Sequence, residues 1–361
     1  MRTVPALIAS ALFLLPAAAR ASDRLAIEGY LRPVYELTYR PNAIPLDEYT
    51  TGMIGSEAGV SMYGSPLDKF SYDVFLIFGV NGPAITNSSG GVSVSVEEAA
   101  VAYHPNGNWD LKVGQMRIPF TVDHMSPNTV LMFPNRAPPN EAFLAGTDLG
   151  VLGTFHLSDD LLRVSAGIFN GNELDPVPPS QVRGILYAMR ADLTFFGRPF
   201  PMVQGDFERG ALRLGVGAGL LYHPYYVYDA TGANPQRNDD LRFTGSLRAA
   251  VAGLYLQGEI YHQQALNQKL NLLTVSDGAY LQAGFYLPIG VEPIARFGYV
   301  DLDETNNPRY SNFPEVGINF YPHPQANKPW TLKLSLLYQG ENDVTQNDIA
   351  HALVFSILYL W

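Results

Sequence analysis

Residues 112–171 open as KVGQMRIPF (Lys112 to Phe120) and close as DLGVLGTFHLSDDLLRVSAGIFNG (Asp148 to Gly171), with a long irregular run between. The opening reads as a strand and the close as a tight hairpin. The run from Pro119 to Gly146 holds prolines at 119, 127, 134, 138 and 139, so it sustains neither a helix nor a central strand for long. An insert of this length in a compact domain usually has a function. It still carries Met132, Phe133, Phe143 and Leu144. If the flanking strands belong to a closed barrel, the place for such a loop is the lumen, where it would act as a pore constriction.

The ends of the chain bear on the barrel. Arg2 precedes an apolar run from Val4 to Ala19, and Ala19-Arg20-Ala21 stands before Ser22. This is the pattern of a secretory signal peptide over residues 1–21, cleaved after Ala21, with residues 22–361 as one mature domain; the apolar run is too short for a membrane anchor. No later stretch reaches eighteen uninterrupted apolar residues, which excludes a helical membrane protein. Yet 47% of residues are hydrophobic, only 16% are charged, and there are 21 tyrosines, 19 phenylalanines and no cysteine. An exported soluble domain of this size would often carry a disulfide; the composition suits an outer-membrane barrel better. The formal charge of -11 disfavours nucleic acid as a partner.

Period-two alternation runs through the mature chain. In Leu25 to Arg40, Leu25, Ile27, Leu31, Tyr35, Leu37 and Tyr39 share one face, and Glu28, Tyr30, Arg32, Glu36 and Arg40 the other. One face suits lipid and the other water. Strands are predicted at 25–40, 52–63, 69–80, 93–104, 109–118, 147–157, 161–171, 184–196, 210–223, 240–251, 253–263, 277–288, 290–302, 313–323, 330–340 and 349–361, about sixteen in all, with bulges in the fourth and fifth. Their connections alternate long and short, and only 197–209 among the short set is extended. An all-β transmembrane antiparallel barrel follows, with long extracellular loops and the third loop folded inward. At the C-terminus Leu353, Phe355, Ile357, Tyr359 and Trp361 fall on one face. This resembles the terminal targeting strand of outer-membrane proteins.

An ordered series of motifs then points to a family. VEEAAVAY (Val96 to Tyr103), LKVGQMRIPF (Leu111 to Phe120), the F-x-x-R of Phe133 to Arg136, DLGV (Asp148 to Val151), AGIFNG (Ala166 to Gly171), LQGEIY (Leu256 to Tyr261), EPIARFGYVDLDE (Glu292 to Glu304) and VGINFYPHP (Val316 to Pro324) resemble the phosphate-selective porin O and P family. The resemblance implies a sixteen-stranded, water-filled barrel, usually a homotrimer, that admits small hydrophilic solutes or anions such as phosphate. It implies a counterpart for the family's loop arginine only in Arg136. The chain departs from phosphate-binding members in its lysines: they stand at Lys69, Lys112, Lys269, Lys328 and Lys333, with no cluster in the constriction region.

Selectivity in a pore comes from charge at its narrowest point. Arg136 on the inward loop is the leading candidate, with Arg117 at the base of its strand and Asp123, Glu141 and Asp148 as the acids that would oppose them. The lumen is expected to display Arg32, Arg163, Arg190, Arg213, Arg242, Arg248, Arg296 and Lys333 against Glu28, Glu36, Asp73, Asp148, Asp192, Asp240, Glu259, Glu292 and Glu315. Most are read as ion pairs between neighbouring strands, Glu259 with Arg248 for example. The tyrosines at 222, 225, 226 and 228 read as an interfacial girdle. The histidines show no ligand spacing with a carboxylate partner, so no metal or other cofactor is expected, and no G-x-S-x-G signature supports Ser-His-Asp catalysis. The surroundings are outer-membrane lipid. The rival to a porin is a non-conducting barrel, either an enzyme of the outer-membrane phospholipase kind or a structural anchor.

Overall fold

The computed structural model describes residues 25–41, 49–53, 56–80, 92–158, 160–171, 181–228, 235–303, 309–322, 330–345 and 348–361. The expected signal peptide, residues 1–21, lies outside them, as do parts of the long connections.

Sixteen antiparallel strands form among the described residues. They are β1 (Ala26–Arg32 and Val34–Tyr39), β2 (Tyr49–Met53 and Ser56–Leu67), β3 (Phe70–Val80), β4 (Val92–Asn106), β5 (Trp109–Arg117), β6 (Thr147–Leu157), β7 (Leu162–Phe169) and β8 (Gln181–Arg183 and Leu186–Phe196), followed by β9 (Arg213–Tyr228), β10 (Pro235–Val251), β11 (Leu254–Asn267), β12 (Leu272–Phe285), β13 (Val291–Leu302), β14 (Arg309–Phe320), β15 (Leu332–Asp343) and β16 (Asp348–Leu360). Each pairs with its neighbours in sequence. The sheet closes where β16 meets β1, in the pairs Leu31 with Tyr359 and Phe355 with Tyr35. Closure removes every sheet edge, the one arrangement of strands that leaves no backbone group unpaired in lipid. Pro33, with no N–H to give the ladder, marks the break in β1, and its carbonyl still accepts from Ile357 at 3.1 Å.

The alternation sorts as expected. Ile27, Leu31, Leu353, Phe355 and Tyr359 are exposed on the outer face, while Tyr30, Arg32, Val34, Val354 and Leu358 are buried within. Aromatic pairs band both ends of the wall: Phe70 with Tyr103 and Trp109 with Phe155, each at 4.9 Å, near the short turns, and Tyr39 with Tyr49 at 4.8 Å near the long connections. Such girdles anchor a barrel at the two membrane interfaces.

Strand boundaries differ from expectation mainly toward the long-loop end. β9 and β10 stay paired as far as Tyr228 and Pro235, so the expected loop 224–239 contracts to 229–234. Continued ladder bonding outweighs the turn-forming residues there. The bulge expected in β4 forms, with Glu97 as the extra residue, since Phe75 pairs with Glu98 and Leu76 with Val96. The one expected in β5 does not, because Trp109–Arg117 pair residue for residue with β6, and the mixed pattern there instead accompanies Gly114 at φ +135, where a Cβ would meet the backbone of Ala100 at 2.7 Å.

The loop between β5 and β6 folds inward, as the sequence implied, but it is not structureless. It contains two short helices, α1 (Val122–Met125) and α2 (Pro138–Phe143), and a 3-10 turn at Asn128–Val130. The Thr121 hydroxyl caps α1 by accepting from the His124 N–H at 3.1 Å. Pro138 and Pro139 open α2, where a missing N–H leaves no bond unmade. Met132, Phe133 and Phe143 are fully buried, each stabilising the inward position by about 1.5–3 kcal/mol.

Glycines in the wall make the close approach possible. A Cβ on Gly278 of β12 would stand 2.5 Å from the Phe143 ring, and one on Gly219 of β9 would collide with the Phe120 carbonyl.

Candidate functional site: a lumen divided by two inserted segments

The inward loop is irregular, so its carbonyls need partners that a ladder cannot supply. The wall supplies them with cations. Arg190 (β8) donates to the Phe120 carbonyl at 2.7 Å, and Arg242 (β10) to those of Phe143 and Leu144 at 3.1 and 2.8 Å. Arg296 (β13) donates to those of Asn135 and Arg136 at 3.1 and 3.2 Å. Lys333 (β15) reaches those of Leu131 and Met132 at 2.7 and 2.8 Å, and Arg32 (β1) completes the set on Pro134. Residues expected to display charge to solutes therefore hold the loop in place.

The four guanidiniums of this set also keep carboxylate partners. Arg296 bonds Glu315 at 2.5 Å, Arg242 bonds Asp240 at 2.6 Å, and Arg190 bonds Asp192 at 2.7 Å. The expected Glu259–Arg248 pair does not form, because the register sets Arg248 opposite Gln257 and Glu259 opposite Ser246. Arg248 instead lies 3.6 Å from Asp192 and over the Phe200 ring. Glu259 accepts from the Val122 N–H and the Thr244 hydroxyl, both at 2.9 Å, and lies 3.5 Å from Arg190.

A second segment enters from the short-turn end. Residues 197–212, the one extended connection on that side, place Phe207 against Tyr286, Tyr321 and Trp330 at 4.9, 5.2 and 4.8 Å. Asp206 is buried, bonded to Arg213 at 2.8 Å and to the Gly253 N–H at 2.8 Å. Gln204 joins the two inserted segments. Its side chain accepts from the Met132 N–H at 3.0 Å and donates to Asp123 at 2.7 Å, and its own N–H donates to the Val130 carbonyl at 3.0 Å. No motif marks this segment; its signals in the sequence are its length and the aromatic residues Phe200 and Phe207.

The expected constriction residues fall into two groups. Arg136 and Glu141 line a cavity of about 600 Å³ on the long-loop side, together with Arg32, Glu36, Glu315 and Glu341. Arg136 also folds the loop on itself, bonding the Asp123 and Ser126 carbonyls and the Asn128 side chain. Glu141 stands 3.9 Å from Arg136. The Glu141 side chain is partly exposed but ringed by protein; desolvation raises its carboxyl above the usual range, against the pull of Arg136. Arg117 lines a second cavity of about 420 Å³ on the short-turn side. Asp123 and Asp148 face neither cavity: Asp123 is sealed against the Ala137 N–H and Gln204, and Asp148 binds the N–H groups of Leu149 and Gly171 at 2.8 and 2.5 Å. Short acids beside free backbone donors are drawn to those donors rather than across the lumen.

Between the cavities lies a polar layer that the sequence did not mark. Glu57 of β2 takes Arg32 at 3.1 Å, the Tyr30 hydroxyl at 2.6 Å and the Asn128 amide at 3.3 Å. Partners from β1 and the inserted loop thus close on one β2 carboxylate.

The histidines find carboxylates that spacing concealed. His104 and His156 share Asp110, at 2.5 and 2.8 Å, and His262 meets Asp277 at 2.7 Å. Burial, with Arg136 and Arg117 nearby, keeps the His124 imidazole well below its ordinary titration range. No group of three potential ligands for a metal occurs among the described residues.

A closed sixteen-stranded wall with a lipid-facing outer surface, a charged lumen and an inward third loop defines an outer-membrane β-barrel of the porin class. Residues 58–196, from β2 through β8 and including the inward loop, match the family model described as "Phosphate-selective porin O and P", so the resemblance carried by the motifs is shown over that stretch. Among solved structures the chain is similar to an anion-selective porin from Comamonas acidovorans, at 10% identity and TM-score 0.64, covering 94% of this chain and 100% of that one. It is also similar to Salmonella typhi OmpF, at 12% identity and TM-score 0.62, covering 94% and 98%. A third is OmpT of Vibrio cholerae, an outer-membrane protein, at 12% identity and TM-score 0.60, covering 94% and 99%. No curated protein matches the sequence.

Replacing Arg296 by Met removes the partner of buried Glu315 together with two bonds to the loop. An uncompensated buried charge costs about 3–5 kcal/mol. The expected outcome is a lower urea midpoint for the folded barrel and faster proteolysis within 119–146, read by gel mobility of unheated samples.

Proposed function

We propose that the protein is a passive diffusion channel for small hydrophilic solutes, assembled as a homotrimer, whose narrowest point is the Arg32–Glu57–Tyr30–Asn128 layer with Arg136 above it and Arg117 below. The observation that carries this reading is the pair of cavities, about 600 and 420 Å³, on opposite sides of one thin polar layer beside β1 and β2. The far side of the lumen is packed by the inserted segments. Assembly is supported by the trimer form recorded for OmpT of Vibrio cholerae. Anion preference is supported by the family match. Export would follow removal of residues 1–21, giving a mature chain that begins at Ser22; intact mass of the protein from outer membranes checks this.

A passive channel needs no reacting side chain, and a single observation favours a second reading. The Ser71 hydroxyl lies 2.8 Å from His104 Nε2, and His104 Nδ1 lies 2.5 Å from Asp110. This is the order of nucleophile, base and orienting acid in serine hydrolases. Asp110 is shared with His156, itself bound to Asp160 and so tied to Arg163, which suits a structural clasp between turns. Fluorophosphonate labelling of the folded protein is expected to leave Ser71 unmodified; stoichiometric labelling would make the barrel a hydrolase.

The channel reading is tested by planar-bilayer recording. Arg32→Ala with Glu57→Ala clears the layer and should raise single-channel conductance by about twofold or more, since resistance concentrates at the narrowest point. Absence of conductance steps in both the wild type and the double variant would exclude a channel.

A further inference from the structure

The short-turn cavity differs in chemistry from the one above it. Its wall carries Tyr30, Phe75 and Trp330, with Tyr30 and Phe75 in ring contact at 6.2 Å, and its charged groups are Glu28, Asp73, Glu98 and Arg117. Glu98 is neutralised by Lys112. Asp73 accepts only from the Ser61 hydroxyl, at 3.3 Å, and Glu28 from the Tyr63 hydroxyl, at 2.9 Å; neither has a cation at ion-pair distance among the described residues.

Arg117 is the complementary case. Its side chain is nine-tenths buried, its nearest carboxylate, Glu97, is 3.7 Å from Nε, and Nε has no hydrogen-bond partner. Arg190, Arg242, Arg296, Lys333 and Arg32 bond loop carbonyls, whereas this guanidinium stands in the wall of a cavity with its Nε unpaired. A buried donor left unpaired is destabilising, more so for a charged group. A ligand in the cavity that accepts from the guanidinium's terminal nitrogens supplies partners that the wall does not. The register separates the charges along the barrel axis: Asp73 pairs with Ala100, and Phe75, between Asp73 and the level of Arg117, pairs with Glu98.

We propose that this cavity is a binding site for an aromatic amino-acid zwitterion, its carboxylate on Arg117, its ammonium toward Asp73 and Glu28, and its ring against Tyr30, Phe75 and Trp330. An apolar wall with a few convergent polar groups is the usual make-up of a small-molecule site, and the ring contacts add to the polar ones. A simple anion would satisfy Arg117 but leave both carboxylates uncompensated; a simple cation would do the reverse. The site does not depend on the channel reading, because a ligand can bind whether or not solutes cross the polar layer.

The test reads binding directly. The protein has three tryptophans, and Trp109→Phe with Trp361→Phe leaves Trp330 as the sole reporter, at the cavity wall. The folded barrel in detergent is titrated with L-phenylalanine, L-phenylalaninamide, phenylacetate and inorganic phosphate. Saturable change in Trp330 emission is expected with L-phenylalanine, at an affinity about tenfold or more above that of the two singly charged analogues. Arg117→Gln and Asp73→Asn should each weaken binding by about tenfold, and Arg117→Lys should restore part of the loss; heat-modifiable mobility confirms that each variant is folded. Equal or tighter binding of phosphate or phenylacetate would make this a simple anion site and overturn the proposal. No response to any of the four probes, or binding unchanged in both charge variants, would overturn it equally. Bilayer recordings are made separately, so that a conducting barrel without binding, or binding without conductance, identifies which of the two readings fails.

Discussion

The structure depends on charged hydrogen bonds reaching from the barrel wall to the carbonyls of one inserted loop. A loop that crosses a lumen loses its hydration on the packed side, yet its two short helices and single turn leave most of its backbone without a regular partner. Arg190, Arg242, Arg296, Lys333 and Arg32 supply long donors from five separate strands. Bonds of this kind, with an ionised donor, are worth about 1.5–3 kcal/mol each. Each guanidinium in the set is also tethered to a carboxylate, which fixes its direction before the loop arrives. The wall can therefore impose one loop conformation in a space where apolar packing alone would accept several.

The arrangement changes what lumen charge means in this barrel. A guanidinium committed to two carbonyls and a carboxylate contributes little free field to a passing ion, so counting arginines overstates selectivity. What matters is the small number of groups left uncommitted. Most stand near the Glu57 layer and in the cavity beneath it, beside β1 to β5, whereas the opposite wall from β8 to β13 is occupied by the two inserted segments and by Gln204, which binds them together. The path open to solutes lies to one side of the barrel axis, and its chemistry is set by a minority of the lumen residues.

The alternation of residue character determined, by itself, the strand number, the outward and inward faces and the closure, because a wall with lipid on one side and water on the other imposes a period of two on every strand. It also determined that 119–146 turns inward, since Met132, Phe133 and Phe143 needed an apolar surface and the prolines excluded regular structure. Arg136, singled out by its F-x-x-R setting, lines the long-loop cavity. Only the tertiary structure decided which charges meet. Arg248 and Glu259 are close in sequence pattern but two residues apart in register, and that offset is enough to send each to a different partner. Asp123 and Asp148 look like constriction acids until backbone N–H groups are found nearer to them than any guanidinium. Glu57, Asn128 and Gln204 carry no motif, because their roles arise from contacts spanning 25 or more residues of chain, and a linear pattern records periodicity along one strand but not the meeting of a wall with the loop it encloses.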